Sequence, residues 1–154
     1  MVKITTPITS MGSTAQYTPG TTTIVRDTFF DYENEYIYLA GVASTAAYDW
    51  ASFSSGTGKT LRLAANVVAP IGIAQAACTA GSFGWYGIKG IFWGNSANAV
   101  SSGTGLYACG TAGTVSDSTV AGDYIVGASP TDTGASGGTV RVYISYPYIT
   151  NTIN

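Results

Sequence analysis

Apolar and polar residues alternate in short stretches from Ile24 onward, and this pattern predicts β-strands. In GTVRVYISY (residues 138–146), every second side chain is apolar and lies on one face, which carries Val140, Val142, Ile144 and Tyr146. A period of two is typical of a sheet with one face in a core. Clusters of Gly, Ser and Asp separate this stretch from seven similar ones, namely TIVRDTF, EYIYLAGV, TLRLAANV, IGIAQAA, GWYGIKGIFW, GLYAC and GDYIVGA.

The predicted fold is all-β, a small barrel or sandwich of short antiparallel strands. None of these segments has a helical stripe, and the 20 glycines disfavour helices further. Regularly spaced short strands with turn signals are typical of barrels and sandwiches. Residues 1–23 are Thr-rich with little apolar periodicity, so we interpret them as an extended N-terminal arm, either disordered or ordered against a partner. Residues 24–154 then form a single domain.

The stretch FGWYGIKGIFWG is the most informative predicted strand. Strict alternation places Trp85, Ile91 and Trp93 on one face, and Tyr86, Ile88 and Phe92 on the other. Because both faces carry large apolar groups, the strand is either covered on both sides in a barrel, or one face meets another subunit or a glycan. Packing in the core is the favoured interpretation. Gly87 and Gly90 indicate a bend or a close backbone approach.

The stretch SSGTGKT (residues 54–60) resembles the end of a nucleotide-binding phosphate loop, but its spacing and context are wrong. The first glycine of such a loop would stand at position 53, which is Phe53. The residues that follow, TLRLAANV, have strand rather than helix periodicity, whereas a phosphate loop leads into a helix. We therefore predict a Gly/Ser loop between two strands and no nucleotide cofactor.

The chain is poor in charge, which bears on its partners. Charged residues make up 9% of the 154 residues and the net charge is −2, against about 25% charged residues in typical soluble domains. A surface of this kind is covered by another protein at little desolvation cost. The six basic residues are scattered, so we expect no nucleic-acid partner. The longest apolar run is about a dozen residues, shorter than a membrane span, and MVKITTPITS lacks the apolar centre of a secretory signal.

The candidate chemistry is sparse, and we expect no enzyme, no catalytic residue, no metal and no cofactor. The chain has no histidine, so the usual general base and the Ser-His-Asp arrangement are absent. Asp31, Glu33 and Glu35 would share a strand face and could bind a hard cation, although a solvated edge is the more common role of such a run. Cys78 and Cys109 are expected to be free, buried thiols.

Residues 65–129 contain an ordered set of motifs that resembles a known family. They are PIGIA, the strand GWYGIKG, then AVSSGTGLYA and a later YIVGAS. This order resembles the small β-barrel of tailed-phage head decoration proteins, also called capsid cement proteins. The resemblance covers under half of the chain.

The resemblance implies a structural virion protein that binds the outside of the mature phage head and stabilises it. Its expected partners are the major capsid protein and two further copies in a homotrimer, on a virion assembled in the host cytoplasm. The alternative is a tail or fibre component that acts as a receptor- or glycan-binding module. We expect interfaces at six apolar residues of the arm and the aromatic strand, namely Ile4, Ile8, Tyr17, Trp85, Tyr86 and Trp93.

Overall fold

The structure, a computed structural model, describes residues 7–27, 32–119 and 123–149. These residues form ten β-strands and no helix, which confirms the all-β prediction. The strands are β1 (Thr22–Asp27), β2 (Tyr32–Ala40), β3 (Trp50–Phe53), β4 (Thr60–Arg62), β5 (Ala69–Ala74), β6 (Phe83–Asn95), β7 (Tyr107–Ala108), β8 (Val115–Ser116), β9 (Ile125–Pro130) and β10 (Thr139–Ile149).

Eight of the strands belong to one antiparallel sheet that curls into a half-barrel. Its order is β1-β2-β6-β10-β5-β3-β4, and β9 pairs with β10. The sheet curls because β5 pairs with both β10 and β6. The short strands β7 and β8 form a separate pair. Strands β1 and β4 therefore form the two ends of the main order.

A strand overlaps each of the eight predicted stretches, and two further strands were not predicted. These are β3, which has only four residues, and β8, which has two. Strand β3 reads WASF and its first three residues are all buried, so no alternation marks it. A strand of two to four residues carries too little periodicity to be detected.

A β-bulge in β6 corrects the predicted faces of the aromatic strand. Glu35 pairs with Lys89, whereas the next residue of β2, Tyr36, pairs with Gly87, so β6 has one extra residue here. A bulge of this kind reverses which face the following side chains occupy. Accordingly, a Cβ on Gly87 would lie 2.5 Å from the Phe92 ring. The prediction that Trp85 and Trp93 share a face was therefore wrong.

Two other predicted alternations stop early. In β10, Tyr146 has φ 47° and is 52% exposed, because the pairing with β9 shifts register between Ile144 and Tyr148. In the stretch 60–67, only Thr60–Arg62 is a strand. Leu61 is 66% exposed, whereas Leu63 is buried. The strand periodicity of TLRLAANV would place these two leucines on one face, but the strand ends between them.

The loop between β3 and β4 is a Gly/Ser hairpin loop, as predicted. Ser54 N donates to the Lys59 carbonyl at 3.0 Å, and Gly58 N donates to the Ser54 carbonyl at 2.8 Å. The chain enters strand β4 after this loop, and no helix follows it. The two cysteines are free, as expected; Cys78 is buried and Cys109 is half-buried.

The core contains one large and one small cluster of apolar side chains. The large cluster fills the inside of the half-barrel and includes Trp50, Trp85 and Phe92. The small cluster lies on the other face of the sheet, around Tyr86 and Leu39. Strand β6 therefore supplies large rings to both clusters, and its first half is covered on both sides.

Residues 7–21 contain no strand and lie against the domain. The Tyr17 ring contacts Tyr38 edge-on, with centroids 5.2 Å apart, and lies 5.3 Å from the Trp85 ring. Gly12 forms a bridge to Phe83, and Ile8 packs on the large cluster. The arm is therefore held by aromatic packing within its own chain. The division at residue 23 stays a prediction.

Burial of Tyr86 predicts a loss of stability at alkaline pH. Burial raises the pKa of the Tyr86 phenol above its ordinary value. As the pH rises past about 10, the unfolded chain loses this proton before the folded chain does, so the free energy of unfolding falls. Tyr86→Phe should reduce this fall by up to about 1.4 kcal/mol per pH unit. Urea denaturation of the wild type and the variant at several pH values between 9 and 12 measures this change in the free energy of unfolding.

The matched control is Tyr148→Phe, because Tyr148 is 43% exposed in the folded chain. Its stability should run parallel to that of the wild type over the same pH range. If Tyr86→Phe also ran parallel to the wild type, burial of the phenol would not be the cause of the alkaline loss.

Candidate functional site

One side of the sheet presents large apolar groups to solvent in the second half of β6. Directly paired residues of antiparallel strands share a face, and one such row runs Ile24–Glu35–Lys89–Ser145 across β1, β2, β6 and β10. The adjacent pairs are Ile91 with Tyr143 and Trp93 with Arg141. We call the surface formed by these residues the outer face.

Several large side chains of the outer face are half exposed. Trp93 is 48% exposed, Ile24 is 48% exposed and Tyr143 is 42% exposed. Single exposed apolar side chains are normal on protein surfaces, but a contiguous group of them marks a binding surface. The outer face is therefore a candidate binding site.

A polar cluster holds Tyr146 at the border of the outer face. The Tyr146 hydroxyl donates a hydrogen bond to Glu35 Oε2 at 2.5 Å. The Lys89 ammonium lies 5.6 Å from the centroid of the Tyr146 ring. The hydrogen bond to Glu35 raises the pKa of the Tyr146 phenol, since it favours the protonated form. This cluster fixes the orientation of an exposed ring whose backbone is left-handed.

A cavity of about 200 Å³ lies along the edge of β6, where β2 leaves it. The backbone pairing of β2 with β6 ends at Glu35 and Lys89. Beyond this pair, the Asn34 side chain bonds to the β6 backbone instead, and its Oδ1 accepts from Ile91 N at 3.0 Å. Further along, Asn95 N donates to the Tyr48 carbonyl at 2.9 Å. We call the cavity between these two attachments the notch, and its lining includes Tyr32, Asn34, Tyr48, Gln75, Trp93 and Arg141.

A second cavity, of about 310 Å³, adjoins the notch on the outer face. Its lining includes Ile24, Glu33, Glu35, Lys89 and Tyr143, and Tyr32 lines both cavities. The outer face and the notch are therefore parts of one continuous surface.

An apolar groove of about 590 Å³ lies at the opposite end of the sheet, beside the edge strand β4. Its lining includes Phe53, Leu61, Val68 and Pro70, with Lys59 as its charged side chain. Leu61 and Val68 are each 66% exposed, more than any other large hydrophobic side chain of the described residues. We call this surface the apolar groove.

The six predicted interface residues do not form one site. Trp85 and Tyr86 have no exposed surface, so their assignment to an interface was wrong; they fill the two core clusters, where large rings contribute most burial. Ile8 and Tyr17 are half-buried against the large cluster. Ile4 lies outside the described residues. Trp93 is exposed and lines the notch, and its interface role stays a prediction.

The sequence did not mark several other residues of these surfaces as exposed. Tyr48 lies in a turn before β3, and its position beside Trp93 follows from the pairing of Asn95 with that turn. Leu61 has the same place in the alternation as Leu63, which is buried, so the pattern does not mark Leu61 as exposed. Val68 lies outside every predicted strand. Only the bounds of the folded strands show these side chains to be exposed.

The described residues hold no cluster of three or more metal-ligating side chains. Asp31, one of the three carboxylates considered for a cation, lies outside them. Among the same residues, no helix is long and apolar enough to cross a membrane.

Comparisons with known proteins show the fold. No family model matches the chain, and no curated protein matches it either. Among solved structures, the chain is similar to the N base of the head fiber gp8.5 of bacteriophage phi29. The likeness has a TM-score of 0.56 at 13% identity and covers 77% of this chain and 98% of that chain.

Proposed function

We propose that the protein is a structural component of a bacteriophage head that binds the outer surface of the mature shell and stabilises it. The observation that carries the proposal is the shared fold with a head fiber base, which extends over nearly all of that chain. Shared fold does not by itself imply shared function. The decoration-protein motifs in residues 65–129 and the surface chemistry of the chain add independent support.

The surface chemistry suits a permanent protein partner. Only 9% of the residues are charged, so covering the surface removes few ions from water. Exposed apolar side chains lie at both ends of the sheet, for example Ile24 on β1 and Leu61 on β4. We propose the major capsid protein as the partner and a homotrimer as the bound form.

Binding of this kind stabilises the shell by mass action. A ligand that binds only one state of its partner stabilises that state by RT ln(1 + [L]/Kd), which is about 2.7 kcal/mol at a hundredfold excess over Kd. Three linked copies add avidity, since the second and third contacts form within the same complex. Modest contacts per copy would therefore suffice to hold an expanded shell together.

The surface we assign to the shell contact is the apolar groove. Leu61 and Val68 gain the most from being covered, because each is 66% exposed. The neighbouring strand β4 is an end of the sheet order, and open sheet ends are places where another chain can add contacts. Lys59, the single charged side chain among the described residues of the groove lining, adds little desolvation cost.

The proposal includes no catalytic role. The chain lacks histidine, and its buried carboxylates have structural partners. Asp49 accepts from Arg62 Nε at 2.8 Å, and Asp123 accepts from Asn66 N at 2.5 Å. In a second form of the proposal, the protein is the base of a fibre on the phage head. This form also requires the protein to bind the outer surface of the shell.

Co-sedimentation with phage heads tests the proposal. Purified protein at micromolar concentration should bind expanded heads of the phage that carries the gene, saturably and in preference to unexpanded proheads. Leu61→Lys should weaken the binding about tenfold or more, because full burial of a leucine contributes about 1.5–3 kcal/mol and each 1.4 kcal/mol is tenfold.

The matched control is Ile24→Lys, which places the same charge on an exposed aliphatic position at the other end of the sheet. It should leave the binding within about threefold of the wild type. Absence of saturable binding to expanded heads would overturn the proposed function. Equal losses in the two variants would overturn the assignment of the apolar groove.

A further inference from the structure

We propose that the notch is a carbohydrate site that takes one uncharged pyranose ring of an oligosaccharide. The proposal rests on the rings and polar groups around the notch and is independent of the proposed shell binding. The notch lies on the second half of β6, away from the apolar groove, so both surfaces could be occupied at once.

Three exposed aromatic residues surround the notch. Trp93 is 48% exposed, Tyr32 is 47% exposed and Tyr48 is 38% exposed. Each lines a cavity of about 200 Å³, which is smaller than the roughly 300–1,000 Å³ of pockets for drug-sized ligands. One sugar ring is a ligand of suitable size, and its C–H faces can stack on aromatic rings.

The polar groups of the notch suit hydroxyl groups. Gln75 supplies an amide, Thr9 supplies a hydroxyl and Arg141 supplies a guanidinium. The Asn34 amide is bonded to the Ile91 backbone through both its Oδ1 and its Nδ2. Gln75 Nε2 donates to the Ile73 carbonyl at 2.8 Å, which fixes the amide and leaves Oε1 to accept a hydrogen bond from a ligand. Among the described residues, no carboxylate lines the notch.

The charge around the notch favours an uncharged ligand. Its guanidinium, Arg141, pairs with Asp132 at 2.8 Å, so the positive charge is balanced within the chain. A nucleotide or a sulfated sugar would need a cluster of basic groups, and Arg141 is the only basic residue among the described residues of the lining. A hydroxyl-rich ring needs donors and acceptors without net charge, which this lining supplies.

The backbone of Tyr48 is an independent sign of a binding role. Its φ is 69°, a left-handed value that is an outlier for a bulky residue. Such strained conformations cluster at ligand sites. Hydrogen bonds hold the residue on both sides: Tyr48 N donates to the Ala74 carbonyl at 2.8 Å, and the Tyr48 carbonyl accepts from Asn95 N at 2.9 Å. The exposed ring is therefore held beside Trp93.

The experiment uses the whole chain and an array of uncharged hexose and N-acetylhexosamine oligosaccharides, followed by titration of each positive glycan. Tryptophan fluorescence gives a direct signal, because Trp50 and Trp85 are fully buried while Trp93 is exposed. We expect a glycan that changes this fluorescence saturably. Trp93→Ala and Tyr48→Ala should each weaken its binding at least tenfold, measured by calorimetry.

The matched control is Tyr148→Ala, which removes a 43% exposed ring that does not line the notch and should leave glycan affinity unchanged. Near-ultraviolet circular dichroism checks that each variant is folded. The proposal is overturned if no array glycan binds the wild type, or if binding survives both notch substitutions. It is also overturned if no glycan binds and Trp93→Ala abolishes self-association of the protein. In that case the surface around Trp93 would be a contact between copies of the chain.

Shell binding by the Trp93→Ala variant separates the two proposals. If the variant loses glycan binding and still co-sediments with expanded heads, the notch acts separately from the shell contact. Failure of the wild type to bind heads would leave the glycan result standing on its own.

Discussion

Replacing Asp49 by alanine should lower the free energy of unfolding by about 3–5 kcal/mol, because it leaves a buried network without its acceptor. The Asp49 side chain is buried and accepts three hydrogen bonds. Its Oδ2 accepts from Arg62 Nε at 2.8 Å and from Ala46 N at 2.9 Å, and its Oδ1 accepts from Asn95 Nδ2 at 2.8 Å. These partners lie on β4, on β6 and in the turn before β3.

The same network reaches a loop of the second half of the chain. Arg62 Nη2 donates to the Ala112 carbonyl at 2.7 Å, and Gly113 N donates to the Leu63 carbonyl at 2.8 Å. Gly113 has φ 81°, and a Cβ there would lie 2.6 Å from the Asp49 carboxyl group. Loss of Asp49 should therefore loosen the hairpin β3–β4, which carries the apolar groove.

Chemical denaturation measures the effect, and Asp132→Ala is the matched control. Asp132 pairs with Arg141 at the same distance of 2.8 Å, but both side chains are partly exposed. Exposed pairs contribute about 0–1 kcal/mol, so this variant should stay within about 1 kcal/mol of the wild type. A loss below 1 kcal/mol for Asp49→Ala, or equal losses for both variants, would contradict the structural role of the buried carboxylate.

Replacing Trp85 by alanine should lower the free energy of unfolding by about 3–5 kcal/mol, because the loss of a fully buried indole leaves a large cavity. The Trp85 ring lies 5.1 Å from the Tyr38 ring and 5.3 Å from the Tyr17 ring. Since Tyr17 belongs to the N-terminal segment, the substitution should also release that segment. A typical domain has only about 5–15 kcal/mol of stability in total.

The matched control for this effect is Trp93→Ala, the same substitution eight residues later on the same strand. Trp93 is 48% exposed, so its loss should change stability by about 0.5 kcal/mol or less. Denaturation curves measure both losses, and limited proteolysis of residues 7–21 reports on release of the segment. Similar losses for Trp85→Ala and Trp93→Ala would show that burial is assigned wrongly along β6.

The two tryptophans illustrate how far periodicity predicts a site. Alternation identified β6 as a strand with large apolar groups on both faces, and the two halves of the strand differ in how these groups are covered. The first half is covered on both sides, around Trp85 and Tyr86. In the second half, one face is exposed at Trp93. The bulge between Gly87 and Lys89 separates the halves, and a period-two pattern cannot show where an extra residue is inserted.

The sequence alone determined the all-β class, the approximate place of eight strands, the Gly/Ser loop after β3 and the low charge of the surface. These properties follow from local composition and from the period of the side chains. Only the tertiary structure decided which rings are exposed, how Tyr48 comes to lie beside Trp93, and where the apolar groove forms. The reason is physical: exposure depends on bulges, strand ends and non-local pairings, and these bring together residues that no local pattern connects.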